Sequence, residues 1–232
     1  MLTFPTRYLF ALQARRKLTC HTITTLSYTD DFTLWPTYFS GPEQRILLTA
    51  ALRKLDRMDS RAARQQRKAY RLNTTCGSSL QHVFLPDAYY EFEEGHYDGV
   101  IHNFREMHLT CWPQDVNGLL PILTRLHSLC PTPKTQTHLL HLASQGYIRP
   151  HIDNIDASGS WILGVSLGGE RILRMEGPTE DHGNFDIVLP SGSVYLQKNA
   201  MRFTFKHSIL KGESKDTCQR LSIMIRDVPS PC

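Results

Sequence analysis

Three side chains that could bind one metal ion come from two separate parts of the sequence. His151 and Asp153 are two residues apart in the stretch YIRPHID, and His207 follows much later. On a β-strand, residues two apart point to the same face, so His151 and Asp153 could offer an imidazole and a carboxylate to one ion. Two histidines and one carboxylate are the ligand set of non-haem Fe(II) sites, which keep three coordination positions open.

The spacing of His151 and Asp153 is not specific by itself, because His96 and Asp98 repeat it. His207 taken alone is typical of a histidine that packs in a core. These residues indicate a metal site only as a set, if His207 lies on a later strand and faces the same ion. The sequence alone therefore leaves a surface pair and a metal site as alternatives at this point.

The residues around His207 read as a single strand over 202–210, RFTFKHSIL. In such a strand Phe203 and Phe205 share a face with His207, because side chains alternate between the two faces. This alternation predicts an apolar wall beside the metal.

A further candidate strand, 220–226, carries two arginines on one face. Its residues divide between the two faces as Arg220, Ser222, Met224 and Arg226 against Leu221, Ile223 and Ile225. Burying two guanidinium groups is unfavourable unless they meet anions. Arginine is suited to bidentate recognition of carboxylates, so this strand predicts a site for a dicarboxylate.

The order of these elements resembles the AlkB family of Fe(II)- and 2-oxoglutarate-dependent dioxygenases, and within it a mitochondrial branch. The segments that carry the resemblance are 94–106, 146–153, 190–209 and 220–226. Together they spread it over roughly residues 85 to 228. The resemblance places the rival pair at 96 and 98 in an upstream segment of the family, away from its metal site.

The resemblance implies a role for each candidate residue. The iron ligands would be His151, Asp153 and His207. Arg220 would pair with the distal carboxylate of 2-oxoglutarate, and Arg226 would lie near Asp153 and the other end of this cosubstrate. The hydroxyl of Tyr147 would also reach 2-oxoglutarate. Fe(II) would be the cofactor, with 2-oxoglutarate and O2 as cosubstrates.

The elements that must position these residues change in character along the chain. A Ser-x-x-Glu capping box at Ser40 starts a predicted helix, and further helices are predicted near 97–107 and 119–129. Beyond residue 137, short apolar runs broken by Gly, Pro and Ser indicate an antiparallel sandwich or jelly roll. We therefore expect a mainly β fold with flanking helices (α+β), in which a helical region precedes a double-stranded β-helix (jelly-roll) core.

The composition suggests three segments and a location. Residues 1–29 are basic, rich in Ser and Thr and free of acids, which is typical of a mitochondrial presequence. Residues 30–84 are expected to form the helical segment and 85–232 the dioxygenase domain. We expect the mitochondrial matrix, with a disordered tail and a cytoplasmic or nuclear location as the alternative.

Charge and cysteine content narrow the function classes. Nine Lys or Arg stand against three acids in residues 42–72, which could contact nucleic acid or an anionic membrane. A solvated helix face fits better, because a single aromatic residue, Tyr70, lies among these charges. The six cysteines form no CxxC pair, so neither a zinc ribbon nor a disulfide framework is expected. No apolar run is long enough to span a membrane, and a soluble monomer is expected.

Three functions remain open. The first is a dioxygenase that hydroxylates a protein or small metabolite, with oxidative demethylation of N-alkylated nucleic acid as its alternative; resemblance to the mitochondrial branch implies links to fatty-acid metabolism and programmed necrosis. The second is a regulatory or binding protein with incidental turnover. The third, a cupin-like jelly roll with a structural metal, leaves Arg220 and Arg226 without a role.

Overall fold

The computed structural model describes residues 26–73, 80–155, 159–179, 183–212 and 218–228. Most of the predicted presequence, residues 1–25, lies outside this range. Within it, no helix has the length and apolar character needed to cross a bilayer.

The described chain is mainly β with a few helices. The strands are β1 (Leu26–Thr29), β2 (Phe32–Trp35), β3 (Glu93–Gly95), β4 (Ile101–Leu109), β5 (Thr135–His151), β6 (Trp161–Gly168), β7 (Arg171–Glu176), β8 (Asn184–Leu189), β9 (Ser193–Lys198), β10 (Lys206–Ile209) and β11 (Arg220–Asp227). The helices are α1 (Gly41–Leu55), α2 (Arg61–Asn73), α3 (Leu119–His127) and α4 (Asn199–Phe203), with single 3-10 turns at Leu80–Val83 and Asp87–Tyr89.

The strands form a curled antiparallel sheet in the order β1-β2-β9-β6-β11-β5-β10-β7-β8, and the β3–β4 hairpin joins it at β5. The long strand β5 belongs to both halves. Its first half pairs with β11 and its last residues pair with β10. The predicted jelly-roll core is confirmed, and β1 and β2, which the sequence reading did not anticipate, extend one edge of it through β9.

The larger half-sheet consists of β1, β2, β9, β6, β11, the first half of β5, β4 and β3, and the smaller half-sheet of the end of β5 with β10, β7 and β8. The two faces of the larger half-sheet bury different partners. Its inner face meets the smaller half-sheet in a core that includes Phe104, Leu140, Leu142, Leu173 and Ile209. Its outer face packs on helices α1 and α3 through the odd-numbered residues of β11, which are Leu221, Ile223 and Ile225. The face division predicted for β11 is therefore correct, and the even-numbered residues point inward.

Helix α1 begins where the capping box predicted. The backbone N–H of Ser40 donates to the carboxylate of Glu43 at 2.9 Å. Burial acts to raise the pKa of Glu43, but the hydrogen bonds from Ser40 and the nearby Arg125 lower it overall. An ionised carboxylate at this end of the helix also complements the helix dipole.

The predicted helix near 97–107 is wrong, because this segment forms the second strand of a hairpin. Asp98 and Gly99 make its turn: an Asp98 side-chain oxygen accepts a hydrogen bond from the Val100 N–H at 2.9 Å, and Gly99 has a φ of 69°. The missed signal is the Asp-Gly pair, which marks tight hairpins. Alternation along β4 then sends Phe104 inward and Arg105 outward, which a helix would not do.

The predicted single strand over 202–210 is also wrong. Its first residues belong to the short helix α4, and only Lys206–Ile209 pair as β10. Phe203 is therefore 42% exposed instead of walling the site. Phe205 packs at the edge of the inner core, with its ring centroid 6.2 Å from that of Phe185.

A buried ion network ties the basic helical region to the outer face of the sheet. Arg105 on β4 contacts Asp59 at 2.6 Å and Asp56 at 3.3 Å, and Arg67 on α2 contacts Asp59 at 2.7 Å. Arg105 also donates to Nδ1 of His141 at 3.0 Å. Burial and this arginine hold the pKa of His141 well below its usual range, so its imidazole is neutral.

We expect the substitution Arg105→Met to destabilise the protein by about 3 kcal/mol, because it leaves the buried side chains of Asp59 and His141 with fewer partners. Urea unfolding followed by circular dichroism measures this change. Arg174→Met is the matched control, since Arg174 pairs with Asp186 on the solvent-exposed surface. Equal midpoints for the two variants would show that the buried network contributes no more than a surface pair.

Candidate metal centre

Strands β5 and β10 bring His151 and His207 side by side. The two residues are direct partners in the antiparallel ladder, and their ring centroids are 4.3 Å apart. The ladder has an irregularity here, because Ile209 pairs with Ile148, so three residues of β5 match two of β10. Ile148 and Ile209 both lie in the inner core, and this bulge turns His151 to the same side.

Asp153, just beyond β5, completes a compact group of three possible ligands. One of its carboxylate oxygens, Oδ1, lies 3.1 Å from Nε2 of His151 and 3.6 Å from Nε2 of His207. One ligand atom from each residue lies within 4.8 Å of the others. The sequence placed these residues on one site, and the structure brings all three together.

Their hydrogen bonds favour a cation between them. Nδ1 of His151 lies 2.9 Å from the carbonyl oxygen of Arg149, which can only accept, so Nδ1 carries the proton. In the neutral ring Nε2 then has a lone pair that faces the lone pairs of Asp153 Oδ1 at 3.1 Å. Two acceptors at this distance need a proton or a metal ion between them, and a hydrogen bond through the other ring nitrogen is the usual way to orient a metal-binding histidine.

The ionisation states of His207 and Asp153 also suit metal binding, which requires a neutral imidazole and a charged carboxylate. Burial lowers the pKa of His207 to about 4, so this ring is neutral at physiological pH. Burial acts to raise the pKa of Asp153, but His151, His207 and Arg226 hold it well below its usual range. The donor set therefore fits a divalent cation such as Fe(II).

Two arginines hold Asp153 in place, and only one of them was predicted. Arg226 on β11 lies 2.8 Å from the second carboxylate oxygen of Asp153. Arg202 on α4 is fully buried and donates to the backbone carbonyl oxygen of Asp153 at 3.1 Å and to that of Asn154 at 3.4 Å. Nothing in the sequence distinguishes Arg202 from a surface arginine, because its burial depends on the turn between α4 and β10.

Arg220 lies on the same inner face, at the start of β11. It is 1% exposed, its Nε donates to the Ser166 hydroxyl at 3.0 Å, and its Nη1 donates to the Ser222 hydroxyl at 3.2 Å. Among the described residues, no carboxylate lies within ion-pair distance of its guanidinium. Burial lowers the pKa of Arg220 to about 10, so it remains charged at neutral pH.

Tyr195 on β9 is a site residue that the sequence reading missed. Its ring lies over Gly164 on β6, where a Cβ atom would overlap the phenol. Burial raises the pKa of Tyr195, while the charge of Arg220 nearby opposes the shift, so the phenol stays protonated and able to donate. A glycine facing a tyrosine across neighbouring strands could have indicated this, but only once the register was known.

Tyr147 is the predicted site residue that the structure does not bring to the others. Its ring stacks on His102, with centroids 4.6 Å apart. The two residues are ladder partners, and their neighbours Ile148 and Ile101 face the inner core. Because side chains alternate along a strand, Tyr147 faces away from that core. The bulge in β5 lies between Tyr147 and His151, so the two side chains point to opposite faces although they are four residues apart.

Comparisons with known proteins agree with this architecture. The family profile described as the 2OG-Fe(II) oxygenase superfamily matches residues 31–226. The chain is 29% and 31% identical to the mitochondrial alpha-ketoglutarate-dependent dioxygenase alkB homolog 7 of mouse and cow, over 60% of this chain and 66% of each relative, just short of two thirds of their length. A Pseudomonas putida prolyl-4-hydroxylase shares the fold, with a TM-score of 0.51, 11% identity and coverage of 86% of this chain and 93% of that one.

We expect Arg202→Lys to weaken metal binding about tenfold, because a lysine cannot bridge two carbonyl oxygens and the Asp153 loop would lose its support. Anaerobic titration with Mn(II), followed by electron paramagnetic resonance, measures the affinity without turnover. Lys206→Arg is the matched control, since Lys206 is exposed beside His207. An unchanged affinity in a folded Arg202→Lys protein would remove the positioning role of Arg202.

Proposed function

Since this chain belongs to the 2OG-Fe(II) oxygenase superfamily, we propose that it is an Fe(II)- and 2-oxoglutarate-dependent dioxygenase that hydroxylates a protein or small metabolite. His151, Asp153 and His207 would hold the iron, and Arg220 and Arg226 would serve the cosubstrate end of the site. The family uses Fe(II), 2-oxoglutarate and O2. Tyr195 replaces Tyr147 as the proposed hydroxyl contact to 2-oxoglutarate.

The observation that carries this proposal is the buried, uncompensated charge of Arg220. Among the residues that the structure describes, the hydrogen-bond partners of this guanidinium, which is 1% exposed, are two serine hydroxyls, and such burial is unfavourable unless an anion joins it. A dicarboxylate supplies that anion at one end and leaves its other end free for the metal. Neither a structural metal site nor a pure binding surface would require such an arginine.

Each residue has a distinct part in the proposed reaction. Arg220 holds the far carboxylate of 2-oxoglutarate, and the serines that bond to it fix the plane of its guanidinium. Tyr195 adds a neutral donor, and Arg226 keeps Asp153 ionised and oriented. Iron, when bound, supplies the activation of O2 that couples decarboxylation of 2-oxoglutarate to hydroxylation, with succinate and CO2 released. The inner apolar core excludes bulk water.

The location and wider role follow the relatives. Both curated relatives are named as mitochondrial, which together with the basic, acid-free start of the chain supports a mitochondrial location, with the matrix as the specific proposal. Links to fatty-acid metabolism and programmed necrosis, and action as a monomer, remain predictions of the same kind. A regulatory role with incidental turnover predicts that His151→Ala keeps the cellular effect.

We expect Arg220→Met to bind Fe(II) normally but to lose most of its affinity for 2-oxoglutarate, about a hundredfold, because a charge-assisted contact is removed. Anaerobic titration of the iron-loaded protein with 2-oxoglutarate, followed by the weak visible band of the complex, measures this loss. His207→Ala should lose the iron itself. Arg174→Met is the surface control and should behave as the wild type.

A wild-type protein that is folded and shows no such band would contradict the central proposal. Equal 2-oxoglutarate affinity in the wild type and Arg220→Met would contradict the role of Arg220 alone. The two results can be told apart, because the first concerns iron and cosubstrate together and the second concerns only the buried arginine.

The substrate class is tested by turnover of the loaded enzyme. We expect extracts of mitochondrial protein or metabolites to raise succinate formation from 2-oxoglutarate, and methylated oligonucleotides to leave it unchanged. His151→Ala, without a complete ligand set, serves as the blank for each addition. Stimulation by methylated oligonucleotides and not by protein or metabolites would reverse this preference in favour of nucleic acid demethylation.

A further inference from the structure

A carboxylate outside the metal-binding set faces the interior of the fold. Glu106 lies on β4 two residues after Phe104, whose ring is in the inner core, while Met107 packs on the outer face. Because side chains alternate, Glu106 must point inward with Phe104. It pairs across the ladder with Leu140 of β5, another inner-core residue. No part of the proposed iron and 2-oxoglutarate chemistry uses it.

Two histidines hold this carboxylate without saturating it. Nε2 of His138 lies 3.2 Å from one Glu106 oxygen, and Nε2 of His96 lies 3.6 Å from the other. Burial acts to raise the pKa of Glu106, but His138, His96 and His108 lower it overall, so the carboxylate is ionised at neutral pH. At 3.6 Å the contact to His96 is beyond hydrogen-bond length, so the second oxygen keeps its capacity to accept.

An exposed aromatic ring lies beside this cluster. Tyr97, near the tip of the β3–β4 hairpin, is 94% exposed, and its ring centroid is 4.1 Å from that of His96. The next residue, Asp98, lies 2.8 Å from the opposite nitrogen of His96. An exposed aromatic ring next to carboxylates is the arrangement that binds organic cations through cation–π and charge contacts.

The surrounding chain is acidic. Residues 92–104, which include the β3–β4 hairpin turn, contain three acids, Glu93, Glu94 and Asp98, and no lysine or arginine. The basic residues of α1 and α2 belong instead to the side of the sheet that faces the helices. A phosphate backbone would be repelled where this acidic segment borders the interior, and a cation would be attracted.

The cluster is close enough to the metal centre to touch a substrate held there. His138 on β5 pairs directly with Met224 of β11, two residues from Arg226, which binds Asp153 at 2.8 Å. Neighbouring strands are about 4.8 Å apart, so Glu106, one strand beyond His138, is about two strand spacings from β11. A substrate of ordinary side-chain length could reach both places.

We infer that Glu106 and Tyr97 form a substrate subsite for an N–H-bearing organic cation, such as an alkylated guanidinium or ammonium group of a peptide or a free metabolite. This inference rests on the proposed function, because it takes the metal centre as the place of reaction. The carboxylate accepts from the N–H groups of the cation, and the tyrosine ring covers its alkyl portion.

The test compares matched ligands that differ only in charge. Butylguanidinium and its neutral analogue butylurea are titrated anaerobically into the protein loaded with Fe(II) and 2-oxoglutarate, and binding is followed by calorimetry. We expect the cation to bind about tenfold tighter than the urea in the wild type, and equally in Glu106→Gln. The Tyr97 side chain is exposed and takes no part in the core, so Tyr97→Leu should reduce binding of the cation without affecting the fold.

Peptides separate the two sources of the cation. A methylarginine peptide, a citrulline peptide and free methylarginine are compared in the same way, so tighter binding of the peptide or of the free amino acid identifies the source. Glu170→Gln is the matched control, since Glu170 is an exposed carboxylate between β6 and β7 and should leave the charge preference intact.

Results that contradict the subsite differ from results that contradict the proposed function. Equal or unmeasurable binding of the cation and the urea in the wild type, a preference that survives in Glu106→Gln, or tighter binding of a methylated oligonucleotide would each overturn the subsite. These results do not involve the visible band of the iron and 2-oxoglutarate complex. Absence of that band from the wild type would instead count against the proposed function.

Discussion

The fold depends on one strand, β5, that belongs to both halves of the curled sheet. Strand β5 leaves the larger half-sheet near Gly146, where a Cβ atom would lie 2.7 Å from the carbonyl oxygen of Asn103. Only glycine permits this close approach of two backbones, and Asn103 itself has a φ of 52°. The crossing brings His151 beside His207 on the neighbouring strand β10. Without it, these histidines would lie on different layers and could not share an ion.

The larger half-sheet has buried polar groups on both of its faces, and their partners differ. Outside the larger half-sheet, Arg105, His141 and Gln219 form a chain of hydrogen bonds. Nε2–H of His141 donates to Gln219 at 2.9 Å, and the Gln219 amide donates to the Leu85 carbonyl at 2.6 Å. Inside, Arg220 directly follows Gln219 and has no anionic partner among the described residues. This network fixes the start of β11 and therefore the position of Arg220, one residue later, where the proposed function needs a cation to bind 2-oxoglutarate.

The chemistry of the site could be predicted from the sequence better than the local secondary structure could. The ligand types, the inward face of β11 and the jelly-roll core follow from residue types and alternation, which short-range patterns record. The helix expected near 97–107 and the strand expected over 202–210 failed because hairpin pairing and the α4 turn depend on distant partners. Tyr147 was misplaced for the same reason, since a single bulge in β5 changes which residues share a face.

The proposed places for the cosubstrate and the substrate carry opposite charges on the inner face of the sheet. In the proposed site, the buried cation Arg220 would pair with the bound anion, and the partly buried anion Glu106 would attract the bound cation. Strands β11, β5 and β4 lie in that order, so the two charges occupy different parts of one continuous inner face. A dicarboxylate bound at the Glu106 end would meet repulsion, and a cation at the Arg220 end likewise. Strand β5, which carries His151, and its neighbours β11 and β4 can thus keep the two organic molecules in distinct places.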